Sequence, residues 1–323
     1  MNVAFSDKIL RLREEIDRQL NKIDLPEIST SLAQPMRFSL NARAKRLRPI
    51  LVLLVGEDLG GSRQNLMPAA LAVEVLHTFT LVHDDIMDND SVRRGQQTVH
   101  VKWNVNTAIL TGDGLNALAF RLLMQTKSVQ LDRIGTEFSQ AMLEICDGQA
   151  FDLAFEKIDG IDTEDYMNMI ARKTGRLLGL ACQLGALVAD ASPKIVNNLN
   201  LFGQELGLAF QIQDDLLELT ADQEAMGKSL GSDLAAGKKT FPVITALNNM
   251  TEKQRLAFLS FLKANAANRR LIVRELTKLD AIQQTAAVIE KLLTNARQRI
   301  TSLPEQLQND LNDIMGLIAR RQS

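Results

Sequence analysis

No proline interrupts the chain between Pro68 and Pro193. Across that stretch apolar side chains return every three or four residues: Leu71, Val75, Phe79 and Val82, then Ile170, Leu177, Leu178 and Ala181. That spacing lays a stripe along a helix and does not fit the alternation of a half-buried strand. Proline would break a helix interior, so a long middle is open to uninterrupted helices. Boundary signals agree. Ser192-Pro193 reads as an N-cap followed by proline at the first helical position. Ser302-Leu303-Pro304-Glu305 has capping-box spacing, and Gly60-Gly61 and Gly160 read as stops or loops. Pro49 suits a first helical turn, which predicts a loop near Ala42–Leu47 and a helix start near Pro49. No strand pattern and no solenoid-type repeat is found. Hydrophobic residues make up 46% but aromatics only 4%, a composition that suits packed helices better than β-sandwiches. The expected fold is all-α: one domain over residues 1–323, a bundle of roughly ten or more helices, with shorter peripheral helices after Met250.

The totals exclude several classes. A formal net charge of −2 gives no reason to expect nucleic acid or anionic lipid. Cys146 and Cys182 are the only cysteines, so buried reduced thiols are predicted rather than a disulfide framework. Asp7, Lys8, Arg11 and Arg13 make the N-terminus unlike a signal peptide. The apolar stretch Leu177–Ala189 contains Gln183 and two glycines and is too short for a bilayer, so no membrane span is predicted and the expected location is cytoplasmic.

Two acidic clusters carry the chemistry: His83-Asp84-Asp85-Ile86-Met87-Asp88 and Gln211-Ile212-Gln213-Asp214-Asp215-Leu216-Leu217-Glu218. Each ends an apolar helical run, the first placed at roughly Ala69 to Asp90. On helices, Asp84 and Asp88 share one face, and so do Asp214 and Glu218. Carboxylates near a helix C-terminus oppose the macrodipole and each other. One such cluster alone reads as a solvated helix end; two with the same grammar read differently. Turned toward each other, they could hold hard divalent cations, and Mg²⁺ favours oxygen ligands and phosphate-bearing substrates.

Basic residues follow both clusters. Arg93-Arg94-Gly95 trails the first, while Gly227-Lys228 and Gly237-Lys238-Lys239 trail the second. Glycine lets backbone approach a phosphate and the cations supply donors. Lys45, Arg46 and Arg48 crowd the loop before Pro49, where a helix N-terminus would make a second anion site; the alternative is an ordinary basic loop. These features together read as an enzyme handling organic diphosphates through Mg²⁺.

From about Ala44 to Pro242 the chain resembles the trans-isoprenyl diphosphate synthases, most closely the geranylgeranyl and farnesyl diphosphate synthases. The resemblance rests on ordered elements: Lys45-Arg46-Leu47-Arg48-Pro49, Glu74-Val75-Leu76-His77, the first acidic cluster with Arg93-Arg94-Gly95, Gly112-Asp113, Gly148-Gln149-Ala150-Phe151-Asp152, Lys173-Thr174-Gly175, and the second cluster with its lysines. The resemblance implies an isoprenoid synthase fold around a central prenyl-binding cavity, and a homodimer. It implies three Mg²⁺ ions, with Asp84 and Asp88 as ligands of two and Asp214 of the third. Asp85, Asp215 and Glu218 would act through water or by orienting neighbours. Arg93, Lys173, Thr174, Gln211, Lys228 and Lys238 match contacts to an allylic diphosphate. Lys45, Arg48, His77 and Arg94 match the site for isopentenyl diphosphate.

There are departures from the family pattern. Ala44 replaces a frequent glycine, Gln97 a frequent proline, and Glu218 the usual aspartate. Phe79 lies five residues before Asp84, about 7.5 Å along a helix. In the resembling family a bulky residue there marks short to medium products. With the non-aromatic Thr80 beside it, a C20 product is favoured and C15 is next. A terpene cyclase would not need Lys45, Arg48 and His77, and a non-catalytic partner subunit could dispense with the aspartates. Glu74-x-x-His77 has no second copy to build a di-iron site. Three histidines are too few for a helical metal-dependent phosphohydrolase.

Overall fold

The computed structural model describes residues 3–25, 29–155, 158, 160–220, 238–266 and 268–319. Described elements are almost entirely helical: α1 (Val3–Lys22), α2 (Thr30–Leu40), α3 (Leu47–Asp58), α4 (Arg63–Met87), α5 (Val99–Lys102), α6 (Val105–Leu123), α7 (Leu131–Phe155), α8 (Thr163–Ile170), α9 (Arg176–Val188) and α10 (Pro193–Thr220). Helices Phe241–Asn248, Glu252–Ala264, Arg269–Lys278, Ala281–Ile300 and Glu305–Ala319 follow. The all-α expectation holds, with one addition. Val92-Arg93 pairs antiparallel with Gln96-Gln97 in a two-residue ladder.

The chain divides into two compact units. One comprises Met1–Phe138, Leu180–Asn197 and Pro304–Asp310; the other Ser139–Gly179, Asn198–Leu303 and Leu311–Ser323. In the first, α4 packs against α3 and α6. This helix is long and apolar enough to cross a membrane by composition, but 67% of that window is buried inside the protein, as befits a core helix. In the second, Leu219, Val243, Leu247, Phe258, Ile272 and Leu276 form one buried cluster.

Several boundaries differ from the expectation. Helix α4 starts at Arg63 rather than near Ala69, because Ser62 caps it by accepting from the Asn65 amide. It ends at Met87, and Asn89 at φ 54° turns the chain away. Ser302 does not take the N-cap position of the last helix. Glu305 opens the last helix and Gln308 N–H donates to the Pro304 carbonyl (3.0 Å), while Leu303 N–H still bonds back to Ile300 (3.0 Å). The region after Met250 is not peripheral: Ala281–Ile300 spans 20 residues, and Ile272 and Leu276 are fully buried. Cys182 is buried, its thiol pushed up to about 12 by burial, whereas Cys146 is exposed.

Within the second unit, glycines set how closely helices approach. A Cβ at Gly203 would fall 2.4 Å from the Leu178 carbonyl oxygen, and one at Gly207 would fall 2.7 Å from the Gly175 Cα. Backbone cannot swing aside as a side chain can, so Gly203→Ala is expected to destabilise the protein by about 1–3 kcal/mol. Thermal unfolding checks this; an unchanged melting temperature would contradict the close packing.

Candidate active site

The first acidic motif closes α4. Asp84 and Asp88 stand one turn apart and half-buried, with the Asp88 N–H donating to the Asp84 carbonyl (2.8 Å). The negative end of the helix dipole adds to their charge, so this end attracts cations. Asp85 points differently. It is 5% exposed and ion-paired to Arg93, which also reaches Asp90 (3.2 Å). Burial pushes the Asp85 carboxyl above the usual range while Arg93 pulls it back. His83 Nε2 lies 3.2 Å from the Ile109 carbonyl. Phe79, buried on the same helix, meets the His83 ring edge-on at 4.9 Å. Gly112 makes the room: a Cβ there would fall 2.1 Å from His83 Nε2. Thr80 Oγ1 donates to the His77 carbonyl (2.9 Å).

The ladder after α4 aims Arg93 and Arg94. Its turn places Arg94 at φ 53° and Gly95 at φ 76°, the double positive φ of a type I′ hairpin. A non-glycine residue held there is strained, and Arg94 is fixed by donating to the Arg43 carbonyl (3.1 Å). Beneath lies a cavity of about 50 Å³, lined among others by Phe38, Arg46, Glu74, His77, Arg93 and Arg94. Glu74 is committed to Arg46 (2.6 Å).

Around this cavity cations are in surplus. Burial pushes the Arg48 guanidinium down to about 10; Glu74 opposes that shift and Arg94 adds to it. Arg48 Nε is buried without a partner. His77 is held well below its ordinary 6.5 by burial and by the guanidinium groups of Arg48, Arg94, Arg93 and Arg46, so it is neutral at pH 7. An orphan donor and clustered cations specify an anion. Lys45 stands exposed on the same loop.

The sign of the His77 linkage follows. Its folded pKa is depressed, so its stabilising contribution is full above pH 6.5. It is lost as pH falls from there toward the folded value, because the unfolded chain takes up the proton first. A bound diphosphate would raise the folded pKa, so inorganic pyrophosphate is expected to reduce this acid sensitivity. Denaturant titrations between pH 7.5 and pH 5, with and without pyrophosphate, check it; equal losses in both would remove His77 from the anion site.

The second acidic motif lies in the other unit, on α10. Asp214 and Glu218 are half-buried one turn apart. Asp215, 5% exposed, accepts from the Tyr166 hydroxyl, the Phe241 N–H (2.9 Å) and Gln211 Nε2 (3.2 Å). It ties α8 and the start of helix Phe241–Asn248 to α10. Ala171–Gly175 forms a π-helical turn, a distortion that often marks functional segments. From it Lys173 Nζ reaches Asp152 (2.5 Å) and Thr174 Oγ1 donates to Gln211 Oε1 (3.2 Å). A Cβ at Gly148 would fall 2.4 Å from the Lys173 amide nitrogen, which links the Gly148–Asp152 and Lys173–Gly175 motifs. Lys238 is half-buried just before helix Phe241–Asn248; Lys228 lies outside the described residues.

The anticipated residues thus fall into two groups. Lys45, Arg48, His77, Phe79, Thr80, Asp84, Asp85, Asp88, Arg93 and Arg94 belong to the first unit, and Lys173, Thr174, Gln211, Asp214, Asp215 and Lys238 to the second. Among the described residues no three His, Cys, Asp or Glu side chains form a ready metal cage. The donor sets nonetheless fit Mg²⁺, which is usually held by one or two carboxylates together with waters and substrate phosphates.

A family model described as polyprenyl synthetase matches residues 29–279. A short chain isoprenyl diphosphate synthase of Methanothermobacter thermautotrophicus is 34% identical, over 96% of each chain. A geranylgeranyl diphosphate synthase of Sulfolobus acidocaldarius is 40% identical, over 78% of each. The crystal structure of geranylgeranyl pyrophosphate synthetase from Pyrococcus horikoshii superposes with a TM-score of 0.90 at 33% identity, covering 98% of this chain and 99% of that one.

Proposed function

Because the chain belongs to the polyprenyl synthetase family, we propose that it condenses isopentenyl diphosphate with an allylic prenyl diphosphate to give a longer trans-prenyl diphosphate. The observation that carries this reading is the cation surplus around His77, where Arg48 keeps an orphan buried donor. A terpene cyclase handles one diphosphate and has no use for a second anion site. Here Arg48, His77, Arg94 and Lys45 receive isopentenyl diphosphate. The family pattern assigns Lys173, Thr174, Gln211, Arg93, Lys228 and Lys238 to the allylic diphosphate.

Asp84, Asp88 and Asp214 are the proposed ligands of Mg²⁺, three ions in all by the family pattern. When bound, Mg²⁺ neutralises the diphosphate oxygens that gain charge on departure. The protein's cations serve the same end: Lys173 and its neighbours stabilise the leaving pyrophosphate electrostatically. The allylic C1–O bond breaks and its electron pair leaves with pyrophosphate. The isopentenyl double bond forms the new carbon–carbon bond to C1, and holding it there supplies much of the acceleration. Pyrophosphate then accepts the proton lost from the new product.

Product length follows from α4. Phe79 lies one and a half turns before Asp84, and its ring is fixed against His83. A tail growing back along the helix would meet that ring, which favours C20. Relatives include geranylgeranyl (C20) and geranylfarnesyl (C25) diphosphate synthases, which supports C20 or longer over the C15 alternative. Phe79→Ala is expected to lengthen the main product by at least one isoprene unit. Reversed-phase chromatography of the dephosphorylated products tests it, and an unchanged profile would place the floor elsewhere.

The reading includes a homodimer. Val105, Ile109 and Leu110 are 47%, 42% and 59% exposed on α6, an apolar strip that a second copy would cover. Sedimentation of the purified chain tests it, and its activity alone separates it from a non-catalytic subunit.

A further inference from the structure

We propose that Arg46 is a positioning residue for isopentenyl diphosphate: four hydrogen bonds from its buried guanidinium to Asp17, Glu74, Leu40 and Ala42 hold the loop that aims Arg48 and Lys45. The proposal rests on the assignment of that anion site made above.

In the sequence Arg46 is one of three crowded cations in Lys45-Arg46-Leu47-Arg48, and the resemblance assigns a role to Lys45 and Arg48 only. The structure separates them. Arg46 is 5% exposed and spends its donors internally. Nε donates to Asp17 Oδ1 (2.8 Å), Nη1 to Glu74 Oε1 (2.6 Å), and Nη2 to the carbonyls of Leu40 (2.9 Å) and Ala42 (3.2 Å). A guanidinium offers five N–H groups, so little is left for a ligand. Its acceptors come from α1, the end of α2, the following loop and α4.

The backbone at Arg46 is also constrained. It is the N-cap of α3 at φ 52°, ψ 33°, with no side-chain cap, and its carbonyl accepts from Ile50 N–H (3.1 Å). A left-handed conformation at a non-glycine residue persists only where the surroundings impose it, and here the anchored side chain imposes it. The next two residues open the helix, so the hinge angle at Arg46 sets where Arg48 points. Glu74 has a second effect. It neutralises Arg46, which keeps the charge surplus on the groups that remain for substrate.

The test compares Arg46→Gln and Asp17→Ala with the parent chain. Asp17 is half out in solvent (side chain 41% exposed), so truncating it to alanine removes one acceptor while Glu74 still pairs the buried guanidinium. Hydrogen exchange of residues 41–48 in the ligand-free protein reads positioning directly and needs no turnover. Exchange there is expected to rise about tenfold or more in Arg46→Gln and less in Asp17→Ala. In steady state, KM for isopentenyl diphosphate is expected to rise about 10- to 100-fold in Arg46→Gln, as for lost charge-assisted hydrogen bonds, with KM for the allylic diphosphate within about twofold. Unchanged exchange in this loop overturns the proposal, as does an equal rise in both KM values. Arg46→Lys restores charge but not the two carbonyl bonds, so full rescue of KM by lysine also overturns it. A parent chain that binds no isopentenyl diphosphate, yet shows the exchange contrast, would sink the assigned function and leave the anchoring intact.

Discussion

Asp214→Ala is expected to lower kcat by at least about 10²- to 10³-fold, the scale seen when one electrostatic stabiliser of a developing charge is removed. Its melting temperature is expected to stay near the parent's, because Asp214 is half-buried in the last turns of α10, one turn from the like-charged Glu218. Glu218→Asp shortens the arm by one methylene on the same face, so turnover is expected to change only modestly. Steady-state rates on the two variants check the pair; equal tolerance of both would refute the metal assignment of Asp214.

Asp215→Ala, one residue on, is expected to fail for a different reason. Asp215 is the buried acceptor for the Tyr166 hydroxyl and the Phe241 amide. Truncation leaves both donors without that acceptor, at about 1–3 kcal/mol each. A loss of roughly 2–5 kcal/mol in unfolding free energy is therefore expected, read by urea denaturation. Stability within 0.5 kcal/mol of the parent (roughly the noise of surface substitutions) would show that Asp215 is not a tie. On these expectations the adjacent aspartates of one motif divide between chemistry and architecture.

The family resemblance separates these roles in the sequence, but what holds Asp85 and Asp215 in place was not legible there. Periodicity placed both acidic motifs on helices and put Asp84 with Asp88, and Asp214 with Glu218, on shared faces, because helical geometry is local. The partners of Asp85 and Asp215 are not local. Tyr166 lies 49 positions from Asp215, and nothing in its neighbourhood marks it. Arg46 was likewise hidden among its basic neighbours, since burial and not residue type distinguishes it from Arg48. The hairpin was missed because Arg94-Gly95 replaces the Asn-Gly or Asp-Gly that usually announces a type I′ turn. Two runs of two residues also carry no alternation to detect. The π-helical turn at Ala171–Gly175 has no propensity signature. A signal for the close helix approach was present in the four-residue spacing of Gly175 with Gly179 and of Gly203 with Gly207, but it acquires meaning only once the two pairs are found against each other. Helix starts at Ser62 and Glu305 were displaced from expectation for a plainer reason. Several nearby residues could cap, and tertiary packing chooses among them.

The His77 cluster connects these levels. Local sequence supplied the basic residues; the fold buried them, satisfied Arg46 internally, and left Arg48 and His77 short of negative charge. That shortage is the physical content of the claim that a second diphosphate belongs in this protein. The most direct test incubates the purified full-length chain with radiolabelled isopentenyl diphosphate, an allylic starter (dimethylallyl, geranyl or farnesyl diphosphate) and Mg²⁺, and follows label into lipid-extractable product. Incorporation that depends on both the starter and the metal is the predicted result. A folded chain that consumes the starter in the presence of Mg²⁺ without ever incorporating label would contradict it.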